Sequence, residues 1–315
     1  MDAIGGYFSL ELSMREEYHK DALRLNTGRN SLEYILRARK YDKVYLPYYT
    51  CDVVLEPFKK LNLSYEFYHI NLHLELNDTI SLKENEALLY TNYFGLKQRY
   101  VEQLAGKYGS QLIVDNTQAF YAKPLDGIDS FYTCRKFFGV ADGAYLYTDK
   151  LLEGGFEQDE SFNRMAHLLK RIDLSAEKGF ADFRKVDDGL DNQPIREMSK
   201  LTQRIMQSID YEAAVKKRRE NFQILQEQLG EKNNLELRLD DDTVPMVYPY
   251  LVSLEGLREK LIENKIFVAR YWPNVFDWTS KDDIEYYLAN QLQPLPIDQR
   301  YGENQMNRII DIICK

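Results

Sequence analysis

The chain has 315 residues, of which 44% are hydrophobic and 29% charged, a composition typical of a globular protein and enough for one large domain and a smaller one. Its 41 lysines and arginines against 50 aspartates and glutamates give a formal net charge of -9, which disfavours nucleic acid and anionic membrane surfaces as partners. No CxxC pair, basic apolar leader or membrane-length apolar run occurs, so we expect a cytoplasmic protein without a disulfide framework or a structural zinc site.

Short apolar runs rich in valine, isoleucine, tyrosine and phenylalanine occur through the first half of the chain, and several are separated by segments with helical spacing. This order predicts a mixed or mainly parallel sheet covered by helices. The predicted strands are 43–49, 64–70, 87–94, 111–115 and 143–148, and the predicted helices are 31–40, 52–61 and 98–108.

The second half has a different character. From about residue 160 to residue 229 the sequence is charged and helical in period. Predicted strands over 244–252 and 265–270, a helix beginning near Glu255 and a final helix over 303–314 follow. We therefore predict a large α/β domain over residues 1–205 and a small α+β domain over residues 206–315.

Asp115 ends the apolar run QLIVD and is followed by Asn116, Thr117 and Gln118. Ligands of open α/β sheets bind beyond the carboxyl ends of strands, which makes this carboxylate a candidate site residue. The alternative is an aspartate that starts a turn and caps the next helix, and the spacing alone favours that alternative.

Two adjacent basic residues, Arg135 and Lys136, lie between a predicted strand and a glycine-containing turn. Phe137, Phe138 and Val140 would partly desolvate the lysine and so favour its neutral, nucleophilic form. On the residues alone, the favoured interpretation is a surface basic pair whose stems cover apolar neighbours.

The segment NTGRNSLEYIL opens a helix at Gly28, followed by Arg29. The free amides and positive dipole end of such a helix suit a phosphate. Ordinary capping by Thr27 or Asn30 is the default alternative.

The joint order of these motifs resembles that of the DegT/StrS-type sugar aminotransferases, which are pyridoxal-phosphate proteins of fold type I. LPYYTCDVV is similar to the family's Pro-x-x-Thr strand end, TNYFG to its loop ending in glycine, VDNTQAF to its Asp-x-Ala-Gln and QPLPI to its late Leu-Pro-Ile. The resemblance implies a large domain with a mainly parallel sheet, a small C-terminal α+β domain and a homodimer.

The same resemblance implies roles for individual residues. Lys136 would hold pyridoxal 5'-phosphate as a Schiff base, Asp115 would pair with the pyridine nitrogen, and Gln118 would lie near the ring hydroxyl. An anionic aspartate there keeps the ring nitrogen protonated, so that the ring accepts electrons from a developing carbanion. No metal is expected, because the four histidines show no metal spacing. The residues implied for the cofactor phosphate are Gly28, Arg29 and Ser130.

The chain departs from the family's pattern around the lysine. Lys136 lies six positions after Ser130, where the family usually has five, so Arg135 competes for the same place. The pair Asp142-Gly143 matches the family's acidic-Gly pair only if Lys136 is the cofactor lysine. Arginine stays protonated and is a poor nucleophile, which also favours Lys136.

Two further positions differ from the family's pattern, and a third is implied to contact the second subunit of a dimer. Cys51 occupies the place where an aromatic side chain commonly stacks on the cofactor ring, which makes Tyr49 or another residue the candidate stacker. Asn92 replaces the usual histidine of the TNYFG loop. Arg196 lies where the family sends a polar loop into the neighbouring subunit's cofactor site.

The resemblance implies transamination, in which an amino acid such as glutamate donates nitrogen and a nucleotide-linked keto-sugar accepts it, in surface polysaccharide or glycan synthesis. Dehydration or other carbanion chemistry on a sugar is one alternative, and a non-catalytic sensor or scaffold is another. A nucleotide-binding module without the cofactor ranks last, because the chain has no GxGxxG loop and no GxxxxGK loop.

Overall fold

The computed structural model describes residues 4–314. Its strands are β1 (Leu23–Leu25), β2 (Lys43–Pro47), β3 (Ser64–Tyr68), β4 (Glu86–Thr91), β5 (Leu112–Asp115), β6 (Asp129–Thr133), β7 (Ala144–Tyr147), β8 (Val247–Leu251) and β9 (Leu292–Pro296). Its α-helices are α1 (Gly28–Arg39), α2 (Leu55–Leu61), α3 (Gln98–Tyr108), α4 (Ala166–Asp173), α5 (Ala176–Asp188), α6 (Lys200–Met206), α7 (Tyr211–Leu229), α8 (Leu257–Glu263), α9 (Val275–Trp278), α10 (Ile284–Gln291) and α11 (Glu303–Cys314). Within that range no helix has both the length and the apolar character needed to cross a membrane.

The first seven strands form one sheet in the order β1-β7-β6-β5-β4-β2-β3. Neighbouring strands from β3 to β6 run parallel, whereas at the other edge β7 pairs antiparallel with β6 and β1 pairs antiparallel with β7. β4 and β5 are buried along their whole length, as central parallel strands covered on both faces must be. The predicted fold class, a mainly parallel sheet covered by helices, is confirmed, and each of the five predicted strands is present.

Helices cover both faces of this sheet. On one side, which we call the α1 face, α1 and α2 pack against Leu89 and Ile113. On the other side, the α3 face, α3 packs against Tyr90 and Val114. Because successive side chains of a strand point to opposite faces, these contacts assign every residue of β4, β5 and β6 to one face or the other.

The C-terminal part of the chain builds a second, two-stranded antiparallel sheet from β8 and β9. Side chains of α7, α8 and α11 cover it and form a separate hydrophobic core around Phe222, Leu261 and Met306. The final helix ends as predicted, at Cys314. The predicted boundary between residues 205 and 206 falls in the last turn of α6 and stays a prediction.

The strand predicted over 265–270 is wrong, because this segment forms no strand. Ile266 and Val268 alternate with exposed or less buried residues and are themselves buried in the C-terminal core. The Ile266 N–H donates to the carbonyl of Leu261, at the end of α8. The alternation of buried and exposed side chains arises because one side of this irregular segment is buried. The segment does not pair with a neighbouring strand.

The turn before β7 is held by a buried carboxylate. Asp142 is completely buried and accepts hydrogen bonds from the Ser199 N–H (2.8 Å), the Ser199 hydroxyl (2.7 Å) and the Thr202 hydroxyl. Gly143 follows with a φ of 109°, and an added Cβ would lie 2.8 Å from Thr202 Cγ2 and 3.1 Å from Cys134 Sγ. The start of α6 therefore packs tightly against the loop 134–143 that joins β6 to β7.

We expect Gly143→Ala to lower the free energy of unfolding by about 3 kcal/mol, because it combines an unfavourable backbone conformation with overpacking. The Thr202 methyl cannot retreat easily, since its hydroxyl is bonded to Asp142. Urea denaturation followed by circular dichroism measures the change.

The matched control is Gly127→Ala, whose φ of 72° imposes backbone strain while nothing lies within 4 Å of the added Cβ. This substitution should lower the free energy of unfolding by about 1 kcal/mol. Equal losses in the two variants would contradict the close packing of Gly143 against α6.

Candidate functional site

Three side chains stand side by side at the carboxyl ends of β4, β5 and β6 on the α1 face. Thr91 pairs with Asp115, and Asp115 pairs with Phe131. Asp115 is 8% exposed, and its Oδ1 accepts the Thr117 N–H at 2.8 Å. The Thr91 hydroxyl is buried without a hydrogen-bond partner among residues 4–314. This edge of the sheet therefore presents a buried carboxylate beside an unpaired hydroxyl.

The loop between β6 and β7 brings Lys136 to this edge. Its Nζ donates a hydrogen bond of 3.0 Å to the Thr117 hydroxyl, and it interacts electrostatically with Asp115. Arg135 takes a different course, because its guanidinium donates to Asp187 of α5 at 3.0 Å. The two basic residues therefore do not act as one surface pair, and Lys136 is the one that meets Asp115.

The environment of Lys136 and Asp115 shifts the pKa values of both groups. Lys136 is an exposed residue, yet desolvation by the protein around its amine lowers its pKa, while Asp115 acts in the opposite direction. Burial raises the pKa of Asp115, and Lys136 and the hydrogen bonds of Thr117 oppose that shift. A lysine with a lowered pKa has a larger neutral fraction near pH 7, and the neutral amine is the nucleophilic form.

The N-terminus of α1 faces the same turn. Thr27 caps the helix by accepting the Asn30 N–H at 3.1 Å, so the capping interpretation is confirmed. The N–H groups of Gly28 and Arg29, in the first turn, have no acceptor within the helix, and both residues are partly exposed. A Cβ at Gly28 would lie 3.2 Å from Thr117 Cγ2, so glycine allows the helix to approach the turn after β5. Capping and anion binding are compatible here.

The Arg29 side chain is already paired. Its Nη1 donates to Glu56 of α2 at 2.9 Å and to Asp191 at 2.5 Å. Burial opposes its charge, but these two carboxylates raise its pKa above the ordinary value. The guanidinium charge is therefore paired with two carboxylates within the chain.

Ser130 is not brought together with Gly28 and Arg29. Ser130 pairs with Val114 and Tyr147, whose side chains pack in the core of the α3 face, while its neighbour Phe131 contacts Gly28 on the α1 face. The expected cradle of Gly28, Arg29 and Ser130 does not form, because alternation along β6 turns Ser130 to the other side of the sheet. Its buried hydroxyl has no hydrogen-bond partner among the described residues.

Thr133 is the hydroxyl that sequence reasoning missed. It lies two residues after Phe131, pairs with Ala144 and thus faces the α1 side at the end of β6. It is 9% exposed, and its hydroxyl makes only a long hydrogen bond of 3.5 Å, to the Gly143 carbonyl, within the described part of the chain. Counting side-chain parity from the buried Phe131 would have selected Thr133, whereas matching the spacing to the lysine selected Ser130.

Gln118 lies three residues beyond Asp115 and is completely buried. Its Oε1 accepts the Phe94 N–H at 2.8 Å, so it fastens the TNYFG loop. Its Nε2 is buried and has no hydrogen-bond partner within residues 4–314. The structure thus assigns Gln118 one structural contact, and its expected contact with a ring hydroxyl stays a prediction.

The positions that depart from the family's pattern have distinct surroundings. Tyr49 has no exposed surface and packs its ring against Tyr93 and Trp272, and the identity of the stacking residue, Tyr49 or another, stays a prediction. Cys51 is partly buried, and burial raises the pKa of its thiol to about 11 although Lys136 acts in the opposite direction. Asn92 bonds to Asn116 at 3.0 Å, which joins the ends of β4 and β5.

Arg196 lies in a segment that crosses the start of α1. Its carbonyl and N–H bond to the Asn26 N–H and side chain at 3.0 and 3.2 Å. Its guanidinium donates to Gln193 at 3.1 Å, and its expected dimer contact stays a prediction. Across residues 4–314, no three histidine, cysteine, aspartate or glutamate side chains are grouped in a way that could hold a metal ion.

Comparison with known proteins finds likeness in structure only. No protein-family model matches the chain, and no curated protein matches it. DesV from S. venezuelae, in complex with a ketimine intermediate, has a TM-score of 0.63 and 16% identity over 93% of this chain and 83% of that chain.

Two other solved structures are similar to the same extent. A DegT DnrJ EryC1 StrS aminotransferase from Brucella abortus has a TM-score of 0.61 and 13% identity over 94% of this chain and 88% of its own. The E. coli GDP-4-keto-6-deoxy-D-mannose-3-dehydratase with bound hydrated PLP has a TM-score of 0.63 and 14% identity over 92% of this chain and 87% of its own. The chain therefore has the fold of these enzymes, which is fold type I of pyridoxal-phosphate-dependent proteins.

Proposed function

We propose that the chain is a pyridoxal-phosphate-dependent aminotransferase that moves an amino group from an amino acid such as glutamate to a nucleotide-linked keto-sugar. One observation carries the proposal: the Lys136 amine lies 3.0 Å from the Thr117 hydroxyl beside the buried strand-end Asp115. Sugar aminotransferases among the structures of the same fold support it.

The residues present fit the cofactor. Lys136 offers an amine, Asp115 a carboxylate for the ring nitrogen, and the first turn of α1 two free N–H groups for the phosphate at the point where Gly28 leaves room. Thr133 adds a hydroxyl on the same face of the sheet. When bound, pyridoxal phosphate supplies an electron sink for carbanion chemistry next to nitrogen.

Each of these side chains has a task in such chemistry. Lys136 Nζ would hold the cofactor and, when free, would carry the proton at the substrate carbon. Thr117 orients that amine through its hydroxyl. Asp115 is buried, and its charge therefore interacts strongly with a cationic ring nitrogen in place of water.

A sugar dehydratase is the second candidate. Two dehydratase structures with this fold favour it, one of them with bound GDP-perosamine. The same amine, carboxylate and helix terminus would serve either reaction, because both begin with the cofactor as electron sink.

We also propose a cytoplasmic homodimer that acts in surface polysaccharide or glycan synthesis. Large apolar side chains with high exposure support an association surface. They are found in the N-terminal segment and in the α4–α5 region, at Ile4, Tyr7, Phe8, Ile172 and Phe180.

The reaction is tested by incubating the cofactor-loaded protein with isotopically labelled glutamate and nucleotide-linked keto-sugars, followed by mass spectrometry of the sugar. A transaminase places labelled nitrogen on the sugar in exchange for the carbonyl oxygen. Loss of a hydroxyl group without gain of label would overturn transamination in favour of dehydration. A protein that takes up no pyridoxal phosphate, or that yields neither product when loaded, would overturn the enzyme proposal.

We expect Lys136→Arg to abolish the covalent cofactor adduct, because a guanidinium stays protonated and cannot attack the aldehyde. The adduct is trapped with borohydride and located by peptide mass. Lys150→Arg, at an exposed position after β7, is the control and should retain the full adduct. An adduct of equal yield in both variants would mean that another lysine holds the cofactor.

The phosphate contact can be assigned with a matched pair of hydroxyl variants. We expect Thr133→Val to weaken pyridoxal phosphate binding about tenfold or more, the value of one hydrogen bond to a charged group. Ser130→Ala should leave the affinity within about twofold, because its hydroxyl faces the other side of the sheet.

Equilibrium dialysis with pyridoxal phosphate and with pyridoxal separates the phosphate contact from other effects. The Thr133→Val defect should vanish when the ligand has no phosphate. A larger loss in Ser130→Ala than in Thr133→Val would overturn the assignment of Thr133.

A further inference from the structure

Arg218 of α7 is almost completely buried, with 1% of its surface exposed. Among residues 4–314, its guanidinium donates hydrogen bonds only to uncharged oxygens: Nε to Gln299 Oε1 at 2.9 Å, Nη1 to the Met246 and Pro245 carbonyls at 2.9 and 3.3 Å, and Nη2 to the Phe137 carbonyl at 3.4 Å. Burying a guanidinium without a bonded carboxylate is costly, and burial lowers the pKa of Arg218 to about 10 although Asp298 opposes the shift.

These bonds join two parts of the chain. Met246 and Gln299 flank the strands of the C-terminal sheet, while Phe137 belongs to the loop 134–143. Gln299 repeats the connection, because its Nε2 donates to the same Phe137 carbonyl at 2.9 Å. The guanidinium also lies over the Phe137 ring, 4.6 Å from its centroid. Phe137 is thus held by two side-chain donors and by its ring.

Phe137 is the residue directly after Lys136, so its carbonyl and ring anchor the backbone from which the lysine side chain extends. On the other side of the lysine, the Cys134 N–H donates to the Gly143 carbonyl at 3.0 Å. The first residue of the loop is therefore bonded to its last, next to β7, and the residue after Lys136 is fixed to the segments that flank the C-terminal sheet. A shift of the second anchor would move Nζ relative to Thr117 and Asp115.

We propose that Arg218, with Gln299, is a positioning residue that links the sheet of β8 and β9 to the loop carrying the Lys136 amine. The inference rests on the proposed function only in taking Lys136 as the reactive amine. Neither side chain touches the site itself, so their effect passes through the Phe137 carbonyl.

The consequence is measurable without any cofactor. Desolvation is the largest influence on Lys136, and the charged or titratable groups that face it are Asp115, Cys51, Arg135 and Asp187. A loosened loop admits water to the amine while these groups stay unchanged, so the pKa of Lys136 should rise toward the ordinary lysine value.

The experiment measures the pH dependence of Lys136 acylation in the cofactor-free full-length protein, with acetic anhydride as reagent and peptide mass as readout. In Arg218→Gln we expect the half-reaction pH to rise by about half a unit or more. Amide hydrogen exchange in residues 136–140 should accelerate about tenfold, as expected from losing a hydrogen bond.

Gln299→Met is the second variant: it removes the donor to Phe137 without changing the net charge, and it leaves Arg218 the Met246, Pro245 and Phe137 carbonyls. It should shift both readouts in the same direction. Arg219→Gln is the matched control: Arg219 lies on the same helix and donates to the Asp240 and Thr243 carbonyls, but does not bond to Phe137.

Both readouts should stay at their wild-type values in the Arg219 control. The inference is overturned if the Arg218 and Gln299 variants match this control, or, where Arg218→Gln does not fold, if Gln299→Met alone matches it. A protein that never binds pyridoxal phosphate would overturn the proposed function and leave these measurements valid.

Discussion

The contacts around the site all bear on one interaction, the approach of the Lys136 amine to the buried carboxylate of Asp115. Asp115 is buried at the end of β5, and the loop after β6 brings the Lys136 amine beside it, where desolvation disfavours the charged form of both groups. Their attraction offsets part of that cost, and the Thr117 hydroxyl and N–H supply hydrogen bonds to both. The arrangement survives only where the loop that carries the lysine is held firmly, because a small retreat of Nζ would leave the carboxylate buried without its counter-charge.

The rest of the fold supplies that restraint from several directions. Parallel strands place Asp115 at the edge of the sheet, and Gly28 lets α1 close over the turn that follows it. Asp142 and Gly143 fasten the far end of the lysine loop to α6, and Arg218 fastens its centre to the C-terminal sheet. These contacts belong to elements that are distant in sequence. The position of the lysine therefore depends on the assembled fold, because contacts from both sheets restrain it.

Sequence reasoning predicted those features of the fold and the site that depend on a local pattern of residues. Buried strands show as short apolar runs, and the tendency of ligands to bind beyond strand ends is enough to select Asp115 as a candidate. Lys136 needed the family resemblance, because nothing in its own neighbours separates a desolvated lysine from a surface one. The errors arose where tertiary contacts decide. Ser130 and Thr133 differ by strand parity, the pairing of Arg29 depends on the distant Asp191, and Ile266 is buried in a segment without a partner strand.

The pairing of Arg29 has a consequence for how a phosphate would be held under the proposed function. With its guanidinium bound to Glu56 and Asp191, the positive potential at the mouth of α1 comes from backbone N–H groups and the helix dipole. A dipole end contributes about 0.3–1 kcal/mol at an exposed site, whereas a hydrogen bond between charged groups contributes about 1.5–3 kcal/mol. The phosphate would thus be a weaker anchor than one gripped by a free arginine. Retention of the cofactor would depend correspondingly more on the covalent link to Lys136, and so on every contact that keeps this lysine in place.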